Sequence, residues 1–99
     1  MQREDLIAIN EFCTIHNVDI SFINSLEQTG LIEVTTIKKA GFIDAGQLQQ
    51  LEKFIRFYYE LDINLEGIET ITHLLQRIVS MQEEIRMLKN RLRLYETNE

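Results

Sequence analysis

The sequence predicts a mainly α chain, in which two short helices and a small β-hairpin precede a longer helix and a C-terminal helix built on heptads. Three observations lead there. Apolar residues recur at spacings of three and four over most of the chain, a single β-branched stretch around Ile32, Val34, Thr35, Thr36 and Ile37 interrupts them, and from Ile68 onward neither glycine nor proline breaks the pattern. With 99 residues, 44% of them hydrophobic and no proline, the chain suits one compact domain.

Each element follows from local chemistry. Leu6 and Ala8 alternate with Ile7 and Ile9 as in a short strand, and Asn10 is placed to cap a helix to about Asn17 with Ile9, Phe12, Cys13 and Ile15 turned inward. A second helix fits Ile20 to Thr29: Phe22, Ile23 and Leu26 keep helical spacing, and Gly30 stands where a left-handed C-terminal cap is expected. The β-branched stretch, the polar tip Lys38-Lys39 and the returning Gly41-Phe42-Ile43 read as a hairpin. Asp44 with Gln47 has the form of a capping box, opening a helix from Ala45 to about Leu61 with Leu48, Leu51, Phe54, Ile55, Tyr58 and Leu61 on one face. Asp62-Ile63-Asn64 breaks that helix, and Asn64 can cap the next one, with Glu66 favourably placed against its dipole.

The C-terminal part carries the strictest pattern. Ile71, Leu74, Ile78, Met81, Ile85, Leu88, Leu92 and Tyr95 alternate spacings of three and four, so Ile71 at position a gives Ile, Ile, Ile, Leu at a and Leu, Met, Leu, Tyr at d. A stripe this narrow suits another helix better than a broad core, and Ile78, Met81, Ile85, Leu88, Leu92 and Tyr95 are the expected dimerisation residues. In a parallel pair Glu84 meets the partner's Lys89, Arg91 meets the partner's Glu96 and Arg77 meets the partner's neutral Gln82, with no like-charge clash; an antiparallel pair stays open. The expected organisation is a domain over residues 1–66 and a helical dimerisation region over residues 67–99.

Charge is distributed unevenly. The formal net charge is −6, and residues 1–37 hold the carboxylates Glu4, Asp5, Glu11, Asp19, Glu27 and Glu33 against the single cation Arg3. A duplex carries roughly one negative charge per 1.7 Å of axis, so proteins that grip it set Lys or Arg against it. Acidity on this scale argues against DNA and for a basic protein partner, whose encounter it would speed in a salt-dependent way. No apolar run of about 18 residues and no basic-then-apolar start is present, so the expected location is the cytoplasm. The lone cysteine, Cys13, excludes an internal disulfide.

No catalytic or metal chemistry assembles from the residues. Cys13 and His16 lie three apart, but only His73 could join them, short of the roughly four ligands of a structural zinc site. No third group orients the pair as nucleophile and base, and Cys13 beside Phe12 reads as a small buried apolar residue. No enzyme activity, cofactor or metal is expected.

The order strand, helix, turn, helix, wing, helix, coiled coil resembles the mercury-resistance (MerR) type winged helix-turn-helix regulators. The likeness is carried by Leu26-Glu27-Gln28-Thr29-Gly30-Leu31-Ile32, Ala40-Gly41-Phe42-Ile43-Asp44, Leu48-Gln49-Gln50-Leu51 and Glu60-Leu61-Asp62-Ile63-Asn64-Leu65-Glu66-Gly67-Ile68. Within that superfamily Asn10-Glu11-Phe12-Cys13, Leu65-Glu66-Gly67-Ile68 and Met87-Leu88-Lys89-Asn90-Arg91-Leu92-Arg93 are most similar to the short chaperone modulators (CbpM). DNA-reading members carry arginines and an aromatic on the second helix and an arginine beside the wing aromatic. Here Ser21-Phe22-Ile23-Asn24-Ser25-Leu26-Glu27-Gln28 has no cation and Ile43 follows Gly41-Phe42, leaving Lys38 and Lys39 to touch phosphate.

The resemblance implies a non-enzymatic protein that binds and inhibits the J-domain of a curved-DNA-binding (CbpA, DnaJ-like) co-chaperone, whose second helix is basic. Glu11, Asp19, Glu27 and Glu33, extended by Asp44, Glu60 and Asp62, are the carboxylates expected to face it, with Phe57 and Tyr59 as candidate apolar anchors. The alternative is a dimeric DNA-binding transcription regulator.

Overall fold

The computed structural model describes residues 5–97. These divide into two compact units that meet between Glu69 and Thr70. In the first, strand β1 (Leu6–Ala8) leads directly into α1 (Ile9–His16), then α2 (Ile20–Gln28), the hairpin β2 (Thr35–Ile37) and β3 (Ala40–Asp44), a 3₁₀ turn (Ala45–Gln47), α3 (Leu48–Ile55) and a π-helical turn (Arg56–Glu60). Helix α4 (Leu65–Thr97) begins in the first unit and makes up the described part of the second. The fold is mainly α with a small wing.

The sheet is antiparallel in the order β1-β3-β2, with Ile7 opposite Ile43 and Thr36 opposite Gly41. Only two residues, Lys38 and Lys39, join β2 to β3, and both take positive φ, 51° and 66°. That is the geometry of the tight turns that match strand twist, which glycine or asparagine adopts at least cost. Two lysines there store strain to hold the cations at the tip.

Caps explain most helix ends. After α2, Gly30 (φ 83°) donates its N–H to Glu27 C=O and Leu31 donates to Leu26 C=O, both at 3.0 Å, the paired closure that a left-handed residue permits. Asn64 caps α4, its side chain accepting the Gly67 N–H at 2.8 Å. Two expected caps are corrected. The β1 pairing extends to Ala8, so α1 starts at Ile9 and Asn10 lies within it, its carbonyl accepting the Thr14 hydroxyl. Asp44 does accept the Gly46 N–H at 2.8 Å, but Gln47 does not reach back to it. Its amide clasps the backbone of Glu33 instead, accepting Glu33 N–H at 2.8 Å and donating to Glu33 C=O at 2.9 Å, a two-point tie like a strand pairing.

Among the described residues the hydrophobic core lies in the first unit. Ile9, Phe12, Cys13, Val18, Phe22, Ile23, Leu26, Ile32, Ile43, Leu51, Phe54 and Ile68 are buried, with Leu48, Ile55 and Phe57 packed against them. Ile15 is 76% exposed, contrary to expectation. The buried face of this short helix is Ile9, Phe12 and Cys13, which leaves Ile15 outside, and exposed His16 stacks its ring on Phe12 at 4.2 Å.

The third helix departs from its expected course. In place of α geometry to Leu61, the chain widens at Arg56–Glu60, and Leu61 N–H reaches back five residues to Arg56 C=O at 3.2 Å. A π turn carries more residues per revolution, so the α-spaced stripe is lost. Phe57 turns onto the core, Tyr58 keeps one face on Phe22 but stands half exposed, and Leu61 falls at the exposed C-terminal cap before left-handed Asp62 (φ 56°).

The C-terminal heptads lie on one uninterrupted helix, α4. Ile78, Met81, Ile85, Leu88, Leu92 and Tyr95 are between 48% and 75% exposed, and Leu75 and Val79 broaden the stripe near its start. Arg86 and Glu83 form an exposed ion pair one turn apart, which adds little. Among the described residues no helix is long and apolar enough to cross a membrane.

Gly67 supplies a stability test. Glycine to alanine within a helix ordinarily gains about 1 kcal/mol. Here a Cβ would come to 2.7 Å from Ile63 Cγ2, a branched methyl that cannot swing away, and 3.1 Å from the capping Asn64 Oδ1. Gly67→Ala is therefore expected to destabilise, by about 1 kcal/mol through loss of the cap; urea unfolding measures the sign.

Candidate protein-binding surface

The helix-turn-helix is formed by α1 and α2, joined through left-handed Asn17, whose backbone N–H and that of Val18 both close on Cys13 C=O. Buried Phe22, Ile23 and Leu26 fix the roll of α2, and Ser21, Asn24, Glu27 and Gln28 therefore face outward. None of them is cationic, and Asp19 stands at the N-terminal cap. Lys38 and Lys39 are exposed at the wing tip.

The expected partner-binding residues separate into distinct groups. Glu11, Asp19, Glu27, Glu33, Glu60 and Asp62 are exposed. Asp44 is half-buried with its carboxylate engaged at Gly46, so its part is to start the 3₁₀ turn. Phe57 is partly buried and packs against the core. Tyr59 is 43% exposed, and its hydroxyl accepts the Asp19 N–H at 3.0 Å, tying the start of α2 to the π turn.

Two shallow concavities gather these residues. One, of about 310 Å³, is lined by Asn10, Glu11, Thr14 and the exposed Ile15 on α1. The other, of about 300 Å³, is lined by Tyr58, Tyr59, Asp62, Ile63 and Asn64. Phe22 and Tyr58 stack at 4.4 Å, and Tyr59 stands edge-on to both rings, 5.0 Å from Tyr58 and 5.7 Å from Phe22. Aromatic pairs in such arrangements add about 0.5–1.5 kcal/mol beyond area burial. Tyr58 and Ile15 escape a reading by spacing; the only signal in the sequence was the tyrosine pair itself, beside Glu60 and Asp62.

The remaining reactive groups stay apart from this surface. Burial raises the Cys13 thiol above its ordinary value, with the charge of Asp19 adding to the effect, so it is held protonated within the core. His16 is stacked on Phe12. Among the described residues no three His, Cys, Asp or Glu side chains gather as a metal site.

The family model described as MerR HTH family regulatory protein matches residues 7–90 of the chain. No curated protein and no solved structure matches it.

Proposed function

The chain belongs to the MerR helix-turn-helix family of regulatory proteins, and we propose that it regulates by binding protein, as a modulator that covers the basic face of a J-domain co-chaperone of the curved-DNA-binding type and inhibits it. One observation carries this reading. The outward face of α2, where the frame would meet a duplex, presents Ser21, Asn24, Glu27 and Gln28 with Asp19 at its start and no cation. Such a surface repels a polyanion and attracts a basic helix. Covering that helix blocks its Hsp70 partner by occupancy, and no chemistry is needed. The exposed carboxylates set encounter rate and salt dependence, while exposed apolar groups such as Tyr59, Tyr58 and Ile15 supply contact area. The stripe on α4 would pair two copies, so that one dimer presents two such faces.

A second reading, a dimeric DNA-binding regulator, is favoured by the strained turn that holds Lys38 and Lys39 at the wing tip. If each neutralises one phosphate, binding is weak with a shallow salt dependence, against roughly six to ten phosphates for a strong binder. Titrating the full chain against a fluorescent duplex and against the J-domain protein of its own organism, at low and physiological salt, separates the two. Micromolar or tighter binding of the J-domain, with binding of the duplex lost at physiological salt, is expected; tight duplex binding with a steep salt slope overturns the modulator reading.

A further inference from the structure

The concavity beside the π turn has the chemistry of a guanidinium site. Tyr58 and Tyr59 stand at 81° to one another and form an aromatic corner, and Asp62 lines the same concavity. Each tyrosine is about two-fifths exposed, and among the described residues no cation pairs with Asp62, Glu60 or Asp19. At about 300 Å³ it is at the small end of ligand pockets, which span roughly 300–1,000 Å³. That is room for a side chain rather than a cofactor.

Three features keep this corner formed in the free protein. The Tyr59 hydroxyl is pinned by the Asp19 N–H, Tyr58 is backed by buried Phe22, and Asp62 holds a left-handed backbone that aspartate tolerates. The N-terminal pole of α4 opposes a cation nearby, but Asn64 already caps it and Glu66 lies in its first turn. A planar guanidinium can stack on a tyrosine face while donating two parallel N–H bonds to a carboxylate; a lysine ammonium offers only a point charge.

We infer that this corner receives an arginine side chain from a basic helix of the protein partner. The inference deepens the proposed function and rests on it, naming the side chain that Tyr58, Tyr59 and Asp62 select. Glu11, Glu27 and Glu33 then act at longer range, on encounter.

The test uses the full chain, isotope-labelled, titrated with a blocked helical peptide rich in arginine and with its lysine counterpart, and in parallel with the J-domain. The arginine peptide is expected to shift the ring resonances of Tyr58 and Tyr59 and to bind several-fold tighter than the lysine peptide. Asp62→Asn removes the charge yet keeps a residue that accepts the left-handed backbone, and Tyr58→Leu keeps apolar bulk without a ring. Each is expected to weaken peptide and J-domain about tenfold. Undisturbed tyrosine signals, or wild-type affinity in Asp62→Asn, overturn the inference even where the J-domain binds. A J-domain that fails to bind the wild-type chain overturns the proposed function instead, and the peptide then decides the corner by itself.

Discussion

Replacing Ile85 and Leu88 together with aspartate is expected to yield monomers in sedimentation, if two copies pair through α4 as proposed. Both side chains are at least half exposed on α4, as is most of the stripe from Met81 to Tyr95. On the proposed pairing the seam finds its stabilising partner in a second copy, since a lone helix in water gains little from propensity. In a two-stranded coil the substitutions would place four carboxylates in the seam, each unpaired and losing hydration that nothing repays. The first unit supplies the control. Its buried residues all lie between Ile9 and Ile68, so unfolding of that core should persist in the double variant. A mass that does not change on substitution would show that the stripe is not where two chains meet, and with it the two-faced dimer would be lost.

The elements legible in the sequence are those whose cause is local. Phe22, Ile23 and Leu26 announced the buried face of α2, Gly30 its end and Asn64 the start of α4, because spacing and capping act within one turn. The two-residue hairpin turn was marked by Lys38-Lys39, although their left-handed backbone was not foreseeable from lysine. Where long-range partners decide, reading by pattern fails. Nothing in Arg56-Phe57-Tyr58-Tyr59-Glu60 distinguishes a π turn from an α turn. What accompanies it is the stacking of Tyr58 on Phe22 and the bond from the Asp19 N–H to Tyr59, across forty positions. Gln47 likewise had a plausible partner three residues away and took the backbone of Glu33 fourteen residues away, where a loop offers an N–H and a C=O that lack ladder partners. The candidate site shows the same division. Its acidity was readable residue by residue, whereas the corner of Tyr58, Tyr59 and Asp62 exists only because the wide turn and left-handed Asp62 bring α-spaced positions out of register.

Phe54→Ala is expected to unfold the first unit at temperatures where the wild type is intact, with a loss of about 3–5 kcal/mol in urea unfolding. Phe54 is fully buried in a core of a dozen apolar residues and is the largest side chain there with no exposure. Phe54 lies one position before Ile55, the last residue of α3 before the π turn that carries Tyr58 and Tyr59. Domains of this size are stable by roughly 5–15 kcal/mol, so the substitution removes at least about a fifth of the margin. Partner affinity should fall with it, through the unfolded fraction and through a loosened tyrosine corner. Phe54→Leu separates the two: it keeps most of the apolar volume and should cost under about 1.5 kcal/mol, leaving the chain folded at assay temperature. If Phe54→Leu folds fully yet binds poorly, the packing beneath the π turn sets the site's geometry; if Phe54→Ala costs under about 1 kcal/mol, well below the range for a buried phenylalanine, the core assigned to this unit is wrong.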